Sequence, residues 1–282
     1  MAQNGLVYEP HRYAKQAKKP VFGYTSGMCL IVFDWQPKQS QWLTLSANRD
    51  EFFQRPALPL AEWDDASGII AGRDLEQGGT WLGISRSGRF AALTNIRVMN
   101  AGPEHPVSRG HLVLDYLKSN LAPEAWLNSL TTSAYAPFNL IVGTTDSLFY
   151  LRNHPDRYQT ELKPGLYVVS NAQLDTPWPK AILAKQQLAT WREQQSQDST
   201  IPLSSLTKLL SRHEIYPDHE LPNTGVPLAW ERLLSAQFIH APGYGTRSST
   251  ALVGQKNTLH IAETTWNAKG NEQQTEQFSV IL

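Results

Sequence analysis

The chain has 282 residues, 25 lysines and arginines against 25 aspartates and glutamates, 41% hydrophobic residues and one cysteine. That length supplies ample core material, and zero formal charge excludes the bulk field by which basic proteins hold nucleic acid. A single cysteine excludes an intramolecular disulfide and a cysteine-based structural zinc site, and no apolar run approaches the roughly 18 residues that cross a bilayer.

Residues 1–27 carry Arg12, Lys15, Lys18 and Lys19 against Glu9, show no hydrophobic periodicity and lack the apolar core of a secretory signal. They are read as an extension preceding a start at Met28, and residues 28–282 as one domain. From Met28 onward short strands dominate. The runs 29–35 and 41–47 are rich in β-branched and aromatic residues and flank a Pro-containing polar turn, which predicts a hairpin. A second hairpin is predicted from 81–85 and 89–96 around Ser87-Gly88. Further strands are expected at 138–143, 147–151, 166–170, 236–241, 249–254, 258–263 and 277–282. Helical spacing appears at 110–119, 123–130, 177–194 and 203–212, the third capped by Asp175 or Thr176. Strand groups alternating with helix groups point to an α+β layered fold.

Phosphate-loop, dinucleotide and nucleophile-elbow motifs do not occur, and His213, Glu214 and His219 are wrongly spaced for a zinc-protease helix. No metal site is expected. Cys29 is the sharp feature. If Met28 is removed, an α-amine with a reference pKa of about 7.7–8.0 lies beside a nucleophilic thiol; otherwise Cys29 is a small buried hydrophobe at a strand start. The second cluster is Asn48, Arg49, Asp50 and Glu51 at the end of an apolar run. In a continuing strand Asn48 and Asp50 share one face and Arg49 takes the other, so only a turn starting at Asn48 aims both Arg49 and Asp50 at Cys29. Gly78-Gly79 reads as a turn into a strand, Ser108 as a helix cap, and Arg73-Asp74 as cleft groups or a loop ion pair.

The runs MCLIVF, SANRDEFFQRPA, GRDLEQGGTWLGIS, RFAALTNIR, PFNLIVG, VVSNAQLDTPWPK and GTRSSTAL, in this order from Met28 to about Gly254, resemble the NRDE family, which includes the transport and Golgi organisation protein 2 homologues. The resemblance implies an N-terminal-nucleophile hydrolase fold, four layers in α-β-β-α order. It further implies Cys29 as nucleophile, Arg49 and Asp50 beside it, Asn171 and Asn95 as oxyanion donors, and Arg247 as a late active-site arginine. In the related choloylglycine hydrolases and acid amidases two residues separate the Arg and Asp; here they are adjacent. Asn48, Arg73, Asp74 and Trp81 are taken as ligand-binding residues.

Two functions follow. The first is a cytoplasmic protein that binds a small hydrophobic ligand in haem trafficking or lipid homeostasis. It needs no cofactor of its own and carries haem as a transported ligand, with Cys29, His105, His111 or His240 as axial candidates. The second is an amidohydrolase that cleaves a small acyl-amide through a Cys29 thioester. The partner in either case is a small molecule, with no nucleic acid and no transmembrane segment.

Overall fold

The computed structural model describes residues 27–98, 107–195 and 202–282. Residues 1–26 of the expected extension, and the axial candidate His105, lie outside them.

The first expected hairpin forms between β1 (Met28–Trp35) and β2 (Gln41–Phe52), antiparallel from Met28↔Asp50 to Trp35↔Leu43. Period-2 alternation then builds two layers at once. Cys29, Ile31, Phe33 and Trp35 point into a core shared with the second sheet, while Leu30 and Val32 point the other way, against helices. The second sheet follows in chain order: β3 (Ala57–Glu62), β4 (Ile69–Asp74), β5 (Leu82–Ser85), β6 (Phe90–Asn95), β7 (Phe138–Gly143), β8 (Leu148–Arg152) and β9 (Tyr158–Glu161), each paired antiparallel to the next. Strands β3, β4 and β9 are not among those expected from the sequence; β3 and β9 are the edge strands of this sheet.

The first sheet is completed by β10 (Gly165–Val169), β11 (His240–Ala241), β12 (Tyr244–Gln255), β13 (Thr258–Trp266) and β14 (Glu272–Ile281). Its order is β10-β1-β2-β12-β13-β14, with β11 on β12. The predicted strand over 236–241 shrinks to two residues, and β12 begins well before the expected 249.

Helices close both outer faces. Helix α1 (Gly110–Lys118) and helix α2 (Pro123–Asn128) cover the second sheet through Leu112, Val113, Tyr116, Trp126 and Leu127. Helix α3 (Pro179–Glu193) and helix α4 (Leu203–Thr207) cover the first through Ala181, Ala184, Leu188, Trp191 and Leu206. A further short helix, α5 (Leu228–Leu234), had no periodic signal in the sequence. Arg192 of α3 donates to Asp34 on the helix-facing side of β1, and Ser46 Oγ donates to Leu206 O at 2.8 Å, so both helices are tied to the central hairpin. The layer order is α-β-β-α, as the resemblance implied.

Two expected caps are corrected. Trp178, not Asp175 or Thr176, caps α3, with Pro179 in its first turn; the Asp175 carboxylate instead accepts from Val168 N at 2.9 Å. Arg109 rather than Ser108 occupies the cap of α1, without a side-chain cap bond. The glycine turn does form: Gly78 has a φ of +74°, and a Cβ on Gly79 would come 2.5 Å from the Gly110 backbone, so Gly79 lets α1 begin against this loop.

Candidate functional site

Cys29 pairs directly with Arg49, and Met28 with Asp50. The chain does not turn at Asn48. It stays in β2 through Phe52, so Arg49 and Glu51 face the second sheet while Asn48 and Asp50 face α3 and α4. Arg49 and Asp50 therefore flank Cys29 from opposite sides of one sheet, and the turn that would aim both at the thiol does not exist. The third strand resolves the conflict differently. Thr246 pairs with Asp50 and Ser248 with Arg49, leaving Arg247 as the extra residue of a bulge opposite that step. Thr246 Oγ1 donates to Asp50 Oδ1 at 2.6 Å on the helix side. Arg247 donates to the carbonyls of Phe52 and Arg55 and shares its surroundings with Arg49, Glu51 and Asp74.

On the inter-sheet side these groups form one network. Arg49 Nη2 lies 3.7 Å from Glu51 Oε2 and 3.6 Å from Asp74 Oδ2. Arg55 Nε donates to the same Asp74 oxygen, while Asp74 Oδ1 accepts from Glu76 N and Gln77 N, both at 2.9 Å, holding the turn before Gly78. Burial opposes ionisation of Asp74, but the Arg55 hydrogen bond and the turn amides hold its carboxyl below the usual range. Arg109 reaches the group from the start of α1, anchored by Pro137 O at 2.9 Å. Burial pulls its pKa down to about 10, partly offset by Cys29 and Glu51. Four guanidinium groups thus face two inner carboxylates, with the half-exposed Glu76 at the rim on Arg55. Glu263, buried on β13, accepts from Leu60 N at 3.0 Å and Thr250 Oγ1 at 3.1 Å, and burial raises its pKa.

The Cys29 thiol is 5% exposed. Burial and then the Asp50 charge push its pKa up to about 12, against Arg49 and the Asp50 backbone N–H, so it is a thiol rather than a thiolate at neutral pH. The strand backbone leading to it is held by the asparagines that the resemblance named. Asn95 Nδ2 donates to Gly27 O, Asn171 Nδ2 donates to Asn95 O at 2.9 Å, and Ser170 Oγ donates to Cys29 O at 2.9 Å. Asn139, from the PFNLIVG run, fixes that segment by donating to Ser170 O and Ala172 O.

The helix side has its own buried charges. Asp50 Oδ2 has no hydrogen-bond partner among the described residues. Burial raises Asp50 to about 7, with Lys180 the strongest charge working to lower it. Lys180, buried near the start of α3, donates to Leu234 O at 2.8 Å, and burial lowers its pKa to about 8. Asn48 Nδ2 donates to Leu210 O and Gln237 O, and Asn48 Oδ1 accepts from Ser249 at 2.6 Å, so its polar atoms are used in the sheet-to-helix layer. The structure does not bring Asn48 to the thiol's side.

Of the other expected ligand residues, Asp74 joins the arginine network and Trp81 packs in the same inter-sheet core as Cys29. Arg73 does neither. It forks onto Asp65 at 2.7 and 2.8 Å and covers the Trp63 ring, as alternation from Asp74 requires. His111 Nε2 donates to Gln77 O, and His240 Nε2 to Ala268 O, both half-buried; neither is brought to Cys29. Sequence reasoning missed Arg55, Arg109, Lys180 and Tyr244. The QRP end of the NRDE run and the lysine of TPWPK were signals already in view.

The α-β-β-α fold thus sets a buried cysteine at the head of a central strand, with Arg49 and Arg109 acting on it from the arginine–carboxylate network. Residues 28–268 match the family model for Transport and Golgi organisation 2. The Homo sapiens Transport and Golgi organization protein 2 homolog is 33% identical over 244 residues, covering 80% of this chain and 88% of that protein. The Drosophila melanogaster Transport and Golgi organization protein 2 is 32% identical over 263 residues, covering 84% of this chain and 92% of that protein. Among solved structures, a Caenorhabditis elegans N-acylethanolamine-hydrolyzing acid amidase ortholog aligns at 12% identity with a TM-score of 0.46, covering 79% of this chain and 92% of that one. The chain belongs to the Transport and Golgi organisation 2 family. No helix among the described residues is long and apolar enough to cross a membrane.

Proposed function

We propose that this chain binds a small amphipathic molecule with an anionic end beside Cys29, as a cytoplasmic carrier in haem trafficking or lipid homeostasis. One observation carries the reading: Arg49, Arg55, Arg109 and Arg247 gather about Glu51 and Asp74 between the sheets, and Arg49 and Arg109 act on the buried Cys29 beside them. Guanidinium forks suit carboxylates such as haem propionates or a lipid acid, and the walls of Trp81 and Leu82 suit an apolar body. A protonated thiol fits binding better than nucleophilic attack. Titration with haemin and with a long-chain fatty acid tests this: saturable binding is expected for at least one, weakened by Arg49→Met. Non-saturating absorbance with haemin and no fatty-acid binding would sink it.

A second reading is favoured by the register. Removal of Met28 would place an α-amine next to Asp50, whose Oδ2 is unpartnered, and free the Asn95 amide from Gly27 O. The product would be an N-terminal-cysteine amidohydrolase that acylates Cys29. A mass increment on the chain's single cysteine with an activated acyl ester, lost in Cys29→Ser, is the expected result; an unmodified mass overturns it.

A further inference from the structure

Met28 is built into the fold more firmly than a residue due for removal needs to be. Its side chain is 5% exposed and packs with Leu234, Ile239 and Tyr244, flanked by Phe52 and Trp230. Its N–H donates to Tyr244 Oη at 3.0 Å, and the preceding carbonyl, Gly27 O, accepts from Asn95. A Cβ on Gly27 would lie 2.4 Å from Asp50 O and 2.9 Å from Glu51 Oε2, so the position tolerates only a slim group. The chain's own Gly27-Met28 segment fills a lined compartment whose floor is apolar and whose two backbone groups are each recognised.

We propose that this compartment is a ligand subsite of the Cys29 centre, occupied by Gly27-Met28 in the uncut chain and open once the chain begins at Cys29. Its ligand class is an N-acylated amino acid with an unbranched apolar side chain, a glycine-like group before it, and a free carboxylate. Each feature follows from a contact. The unbranched side chain takes the Met28 pocket, the amide N–H meets Tyr244 Oη, and the preceding carbonyl meets Asn95. The carboxylate falls where the carbonyl of the Met28–Cys29 bond stood, beside the new α-ammonium. The side-chain pocket lies on the helix side of β1, opposite the arginines, while the glycine-like group reaches Glu51 on the inter-sheet side, so the subsite extends the binding reading to a second face. It rests on the second reading only in requiring a chain that begins at Cys29, not in requiring hydrolysis.

Every described strand and helix begins at or after Met28, so a chain expressed from Met28 contains all of them. Intact mass establishes loss of Met28, and near-UV circular dichroism compares its packing with the full chain. The probe is N-acetylglycyl-methionine, followed by calorimetry. Expected are saturable binding to the chain that starts at Cys29, none to the full chain, and retention when norleucine replaces methionine. Replacing the probe's glycine by alanine should weaken binding by at least about tenfold, because the added methyl meets backbone. Tyr244→Phe should weaken it roughly two- to tenfold. Absence of binding, or binding of the alanine analogue as tight as that of the glycine probe, overturns the proposal. Should the shortened chain lose its packing, Met28→Gly in the full chain empties the same pocket. Ethyl methyl sulfide should then bind that variant and not the parent; binding to neither also overturns it. Acyl transfer to Cys29 is read by mass separately, so a subsite without hydrolysis and hydrolysis without the subsite are distinguishable.

Discussion

The two faces of the β1–β2 hairpin carry opposite solutions to the same problem. On the inter-sheet face, arginines and carboxylates share partners in a network that stays partly open, with Arg49 13% and Arg55 20% exposed. On the helix face a few charges are sealed. Lys180 is 2% exposed and Asp50 fully buried, with one carboxylate oxygen left unpartnered. The open face leaves its guanidinium groups within reach of water. The sealed face holds charge at a cost, because ions removed from water are stabilised only by each other and by fixed dipoles. Consecutive residues of one motif, Arg49 and Asp50, belong to different electrostatic environments because a strand alternates.

The strongest way to break this contrast is Lys180→Met. It removes the main cation acting on Asp50 and should cost about 3–5 kcal/mol in urea unfolding at pH above 7, and less where Asp50 is protonated. A loss under about 1 kcal/mol would show that the sealed face is not held by charge. Next comes the pH slope. Asp50 is raised from 3.8 to about 7, so the folded chain binds an extra proton between those values, and stability falls as pH rises through that window. Asp50→Asn should flatten the fall; an unchanged slope would mean that Asp50 ionises freely.

On the open face, Arg49→Met should weaken an anionic ligand by about 1.5–3 kcal/mol, the value of a charged hydrogen bond, with little change in melting temperature. A larger effect on stability than on binding would turn the network into scaffolding. The smallest effect is expected for Arg73→Met. Its surface pair with Asp65 should be worth less than about 1 kcal/mol, and ligand binding should not move. Any clear loss of binding would return Arg73 to the site.

Much of this could be read in the residues. The apolar alternation of 29–35 gave β1 its two faces, Ser87-Gly88 gave its hairpin, residue type and position singled out Cys29, Arg49 and Asp50, and the NRDE resemblance added Arg247. Less legible was anything needing a partner from elsewhere in the chain. Arg109 looked like part of a helix start because only the Gly79–Gly110 approach brings α1 to the arginine network. Lys180 looked like an ordinary first-turn lysine because only the docking of α3 buries it.

By itself the sequence determined the α+β class, the strand at Cys29 and the alternation that separates Arg49 from Asp50, since these depend on local period and side-chain type. The tertiary structure decided which charges meet. Cross-strand register set Cys29 against Arg49 and Met28 against Asp50, and one inserted residue in β12 aimed Arg247. Pairing across some 200 positions of chain, such as Asp50 with Thr246, |i−j| = 196, is fixed by hydrogen-bond register and layer packing, which no local pattern encodes.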